Sequence, residues 1–168
     1  MATSQPVRLL DDSFLKYFPA TMREPRRAWA AILTGWILSL AGSIALATLS
    51  RAVAPALPAP EFPLKGPMAF FLLVVFAPLV ETLIMAGLLS LLLRFFTPAT
   101  SILLSALAWG VAHSSMALGW GLVIWWPFLI FSMLYVVWRQ RGFWIAVSIA
   151  TTTHALQNLA PGLVVAFG

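Results

Sequence analysis

Long apolar runs separated by short polar or proline-rich breaks set the pattern of this chain. They fall at roughly residues 28–50, 68–93, 99–118, 120–138 and 143–165. Each run is close to the ~20 residues that a helix needs to cross a hydrocarbon core. The pattern predicts an all-α polytopic membrane protein, with about five transmembrane helices in a bundle around a polar intramembrane cavity. Residues 1–27 are polar and read as a cytoplasmic N-terminal segment. In it Asp11 and Asp12 can open a short helix that ends before Pro19. Phe14, Leu15, Tyr17 and Phe18 beside Lys16 suit an interfacial position. The segment does not fit a secretory signal, because its positive region is long and the next apolar run exceeds a signal core. Residues 28–168 read as one transmembrane domain.

Local exceptions inside the runs predict how the helices meet. Gly35, Ser39 and Ser43, with Gly42 beside them, form a small-residue face for close packing in the first run. Residues 51–67 hold Pro55, Pro58, Pro60, Pro63 and Pro67, and predict an extended loop outside the membrane. Pro78 has no backbone N–H and should leave the Val74 carbonyl free, kinking the second run. Ala106, Gly110 and Ser114 make a second small stripe. Gly119 and Gly121 predict a tight turn around Trp120. Trp120 and Trp138 sit where an interfacial belt would place them. Pro127 predicts a kink in the fourth run, and Pro161 with Gly162 a loosened end to the fifth.

Composition agrees with the pattern. The chain is 61% hydrophobic and 9% charged, with a mean hydropathy of +0.95. Soluble domains average about 25% charged residues. The net charge of +5 marks topology rather than nucleic-acid binding, since no basic tract carries interleaved aromatics. With the N-terminus inside, Arg8, Lys16, Arg23, Arg26, Arg27, Arg94, Arg139 and Arg141 are cytoplasmic, against only Arg51 and Lys65 outside. That asymmetry follows the positive-inside rule. The expected location is a bacterial inner membrane. Cysteine is absent, which excludes disulfides, thiolate metal sites and a cysteine nucleophile.

Against this background a few polar residues stand out. Glu81 is the only charged residue between Lys65 and Arg94. Ionisable residues inside a membrane span are costly and mark functional sites. It lies thirteen residues from Arg94, or roughly 20 Å along a helix. His113 comes to roughly 24 Å on the third run, and His154 and Asn158 to roughly 20 and 26 Å on the fifth. Three runs thus bring their polar side chains to about one depth. Thr151, Thr152 and Thr153 read as helix packing or support, and Trp109 as core or cavity wall. A carboxylate in such a place can hold a water and take its proton. Imidazoles and an amide can donate to an oxygen that becomes negative. These parts suit hydrolysis of an acyl centre, most naturally a peptide bond. Glu81, His113 and His154 could also hold Zn²⁺ as a two-His, one-carboxylate set. Two other readings stay open: a binding or scaffold protein that keeps the cavity, and a haem carrier with His113 and His154 as axial ligands.

The same residues resemble a known family. Glu81 with Pro78 and Gly87, then Trp109-x-x-x-His113, then His154-x-x-x-Asn158 are similar to the three motifs of the CPBP family. These are the CAAX-processing and bacteriocin-processing (Abi) intramembrane endopeptidases, glutamic-type relatives of Rce1-type CAAX prenyl proteases. Their pattern is EExxxR, FxxxH and HxxxN or HxxxB on successive membrane helices, and the resemblance covers about residues 68–165. It implies catalytic roles for Glu81, His113, His154 and Asn158. Glu81 would activate water with help from His113, while His154 and Asn158 form the oxyanion hole. It implies no cofactor, with Zn disfavoured. The implied partners are membrane lipid and a peptide or membrane-protein substrate, and no nucleic acid. Two positions depart from the pattern: Thr82 stands for the second Glu and Ala86 for the Arg. Trp109 replaces the Phe.

Overall fold

The computed structural model describes residues 9–58 and 60–168, and among these there is no strand. Five long helices follow a short N-terminal segment. They are α1 (Ala28–Val53), α2 (Gly66–Leu92), α3 (Pro98–Ser114), α4 (Leu118–Trp138) and α5 (Phe143–Phe167). The boundaries follow the sequence signals. Arg26 and Arg27 precede α1, Pro67 sits in the first turn of α2, and Pro98 in that of α3, where its missing N–H costs nothing. The Thr97 hydroxyl caps α3 by accepting from the Thr100 N–H at 3.3 Å.

Three stretches are long and apolar enough to cross a membrane: Ala28–Val53, Gly66–Leu92 and Leu118–Arg141. The other two long helices differ for physical reasons. Helix α3 has only 17 residues, and the middle of α5 is polar from Thr151 to Asn158.

Helix α4 is the axis of the bundle. Every residue from Pro127 to Trp138 is buried, because α1, α3 and α5 pack around it and α2 touches it. Its entry is set by glycine. The expected tight turn at Gly119–Gly121 is instead the first turn of α4, which begins at Leu118. Gly121 serves close approach: a Cβ there would run into the Gly110 carbonyl and Ser114 of α3. Gly121→Val is therefore expected to lower stability by about 1–3 kcal/mol through overpacking. Thermal unfolding in detergent measures this, and an unchanged midpoint would contradict the close crossing.

The small face of α1 packs as its spacing predicts. Gly35 and Ser39 are buried, and a Cβ at Gly42 would enter the Trp126 indole. That indole donates to the Leu38 carbonyl at 2.9 Å. Ser132 ties three helices, donating to Ser105 Oγ at 3.0 Å and meeting Met85 Sδ at 3.3 Å. Pro127 and Pro161 each lie inside a continuous helix, so the loosened end expected at Pro161 is absent.

The N-terminal segment departs from the expected interfacial helix. Ser13 rather than Asp11 is the cap, and a 3₁₀ turn, Phe14–Tyr17, and one further helical turn, Ala20–Arg23, follow. Phe14 and Tyr17 of the 3₁₀ turn stay exposed. Leu10, Leu15 and Met22 are instead buried in the common core, and Phe18 packs on Trp126 at 6.1 Å. Arg23 holds the segment together by pairing with Asp11 and donating to the Phe18 carbonyl at 2.8 Å. Arg8 lies outside the described residues.

Candidate active site

The site begins with a defect in α2. Residues Leu72–Phe76 form a π-turn, in which the Ala77 N–H reaches back five residues to Leu72 O. In that register the next N–H, at position 78, would serve Leu73 O. Pro78 has none. In that register Pro78 leaves the Leu73 carbonyl free, where the α-helical spacing points to Val74. The Asn158 amide of α5 fills the gap, donating Nδ2–H to Leu73 O at 3.0 Å. Gly162, one turn further on, lets α5 approach, since a Cβ there would strike Val74. π-Turns of this kind recur at functional sites. Here the turn delivers Glu81 at the start of the regular helix that follows.

Glu81 faces His154 across the α2–α5 contact, with Oε2 to Nε2 at 3.7 Å. The side chain of Glu81 keeps 26% exposure and that of His154 only 5%. Water can therefore reach the carboxylate, while the imidazole is fixed in protein. Phe131 of α4 stacks on the His154 ring at 4.5 Å, and Phe128 meets it edge-on at 5.3 Å. His154 Nδ1 is buried without a hydrogen-bond partner.

His113 approaches from α3. Its Nδ1–H donates to the Trp109 carbonyl one turn back, at 2.9 Å. A neutral ring held this way presents Nε2 as its acceptor. The ring packs on Phe128 at 5.6 Å and takes the edge of Trp120 at 4.7 Å. Trp109 itself stacks on Phe128 at 4.4 Å, so it is core packing.

All four candidate residues, Glu81, His113, His154 and Asn158, line one cavity of about 680 Å³. The structure pairs Glu81 with His154. No ion pair joins Glu81 to His113 among the described residues. Nor does any group of three His, Asp or Glu there come together as a metal site would require.

Sequence reasoning missed Phe128 and Phe131, which hold both imidazoles, and Ser43, whose hydroxyl accepts from Gln157 Nε2 at 3.2 Å. The four-residue spacing of Trp109, His113, His154 and Asn158 was readable. Aromatic residues inside an apolar run carry no comparable signal. Thr82 and Ala86, which stand where the motif has Glu and Arg, are fully buried on the face of α2 that packs into the bundle. They do not line the cavity. Because both charges are absent together, no buried charge is left unpaired there.

A family model described as Type II CAAX prenyl endopeptidase Rce1-like matches residues 63–160. This region runs from the end of the connector through Glu81, His113, His154 and Asn158. No curated protein and no solved structure matches the chain.

Proposed function

Since the chain belongs to the Type II CAAX prenyl endopeptidase Rce1-like family, we propose that it is an intramembrane endopeptidase of the CPBP/Abi type. The family is one of proteases, and the three long apolar helices make the chain an integral membrane protein. The observation that carries the reading is the pairing of a water-accessible Glu81 with a buried His154, in the same cavity as His113 and Asn158.

In this reading Glu81 takes a proton from a water molecule, and the resulting hydroxide attacks the scissile carbonyl. His154 orients Glu81 and, with Asn158, supplies hydrogen bonds to the oxyanion that forms. His113 Nε2 faces the same space and helps to place the water. The tetrahedral intermediate then breaks its C–N bond, and the proton held by Glu81 passes to the leaving amine. The reaction needs no cofactor, so cleavage by the purified protein is expected to survive chelation by EDTA. Loss of activity restored by Zn²⁺ would contradict this.

The proposed topology has five crossings. Helices α3 and α5 lie against the buried α4, which supports membrane-spanning roles for them despite their length and polarity. The N-terminus lies in the cytoplasm of a bacterial inner membrane, with residues 1–27 as a cytoplasmic segment and residues 28–168 as one transmembrane domain. The substrate is a peptide or protein held at the membrane. Comparing the proteomes of membranes carrying wild type and Glu81→Gln tests the reading. New termini should appear with wild type alone. Identical sets of termini would favour a scaffold that keeps the cavity without chemistry.

A further inference from the structure

The shape of the cavity and the position of Arg51 carry an inference about the substrate, which rests on the peptidase reading. On α1 the lining residues Ser43, Ala47 and Arg51 form one row at four-residue spacing. On α5 the lining runs from His154 out to Val165, and on α2 from Glu81 back to Leu73. At 1.5 Å per residue the cavity extends ~12–16 Å along the helices. All three rows lead from the Glu81–His154 pair toward the same end of the bundle. The proline-rich connector forms the rim there, with Phe62 packed edge-on against Trp120 at 5.6 Å.

The opposite end carries the arginines. Arg27 precedes α1, Arg94 follows α2, and Arg139 and Arg141 follow α4. Arg141 joins these ends by donating to the Pro25 carbonyl at 3.0 Å. The mouth therefore faces away from the positive side, which the positive-inside rule sets in the cytoplasm. Arg51 is the one arginine or lysine that lines the cavity among the described residues. It is exposed and has no ion pair or hydrogen bond there. A free guanidinium at such a mouth offers a planar fork of donors matched to a carboxylate.

We propose that the substrate enters from the non-cytoplasmic face and carries a carboxylate that Arg51 holds at the mouth of the cavity. The carboxylate is either the C-terminus of a peptide or an acidic side chain. Glu81 then acts at the closed end, on a bond further along the same chain.

The absence of cysteine gives a clean test of the direction of entry. Single variants Glu61→Cys, on the connector, and Gln140→Cys, beside the arginines, are exposed to a membrane-impermeant maleimide in intact cells. Glu61→Cys should label at once and Gln140→Cys only after permeabilisation. The reverse pattern overturns the proposal.

A binding assay tests Arg51 without requiring cleavage. Glu81→Gln protein in nanodiscs of neutral lipid is titrated with fluorescent pools of apolar peptides. One pool has free C-termini, one is amidated, and one is amidated with a single internal Glu. The free-acid or the Glu pool should bind roughly ten-fold tighter than the amide, and Arg51→Gln should remove the difference with unfolding unchanged. A gain for the first pool alone identifies the C-terminus, and for the third alone the side chain. Equal binding of all pools, or dependence on added phosphatidylglycerol instead of peptide charge, overturns it. Failure of the peptidase reading would show separately, as an absence of cleavage by wild type.

Discussion

Replacing Glu81 by Gln is expected to lower peptide cleavage by about 10³-fold, the middle of the range for loss of a general base. The substitution keeps shape and volume but cannot take the proton from water. Its neighbour His154 is held by Phe131 and Phe128 rather than by the carboxylate, so the pocket should persist. Thermal unfolding should therefore stay within about 0.5 kcal/mol of wild type. Cleavage rates with a substrate from the proteome comparison, beside unfolding of the same preparations, check both halves. Full activity of the variant would remove Glu81 from the mechanism.

The second large effect belongs to Asn158. Replacing it by Ala is expected to cost about 1–3 kcal/mol, because the Leu73 carbonyl loses its partner. The cause can be isolated, since the carbonyl is orphaned only because position 78 is proline. Pro78→Ala restores an N–H in the π-register of the turn. In the double variant most of the stability cost of Asn158→Ala should disappear. Activity should not return, because the amide is also assigned to the oxyanion. A double-mutant cycle on unfolding, with cleavage measured on all four proteins, separates the two roles. Additive stability losses would contradict the π-turn account.

The sequence made much of this legible, and its failures have physical causes. The start of every long helix lies within a few residues of an expected run, since arginine and proline punctuate the apolar stretches. The four-residue spacings of His113 with Trp109 and of His154 with Asn158 placed each pair on one helix face. Equal depth then brought Glu81, His154 and Asn158 together before any coordinates. What could not be read was register and facing. A π-turn has no sequence rule as firm as a proline, so the free carbonyl at Leu73 was not expected. Nothing in the pattern distinguishes Phe128 and Phe131, which hold the imidazoles, from the other aromatics of α4. Gly121 read as a turn because glycine serves both turns and close helix crossings. The buried placement of Leu10, Leu15 and Met22 depends on packing with distant helices, which local composition does not show.

The resemblance at the motifs extends to a family match over most of α2 to α5. The two departures, Thr82 and Ala86, are buried against the bundle and do not line the cavity. Glu81 is then placed by the π-turn and by its contact with His154.

The most direct measurement of the central claim, that Glu81 activates water for attack on a peptide bond, is single-turnover cleavage in H₂¹⁸O by purified protein in proteoliposomes. The account predicts one ¹⁸O in the new C-terminal carboxylate of the product and none in Glu81, with product from Glu81→Gln forming about 10³-fold more slowly. Label in the Glu81 side chain, or equal product from both proteins, would contradict it.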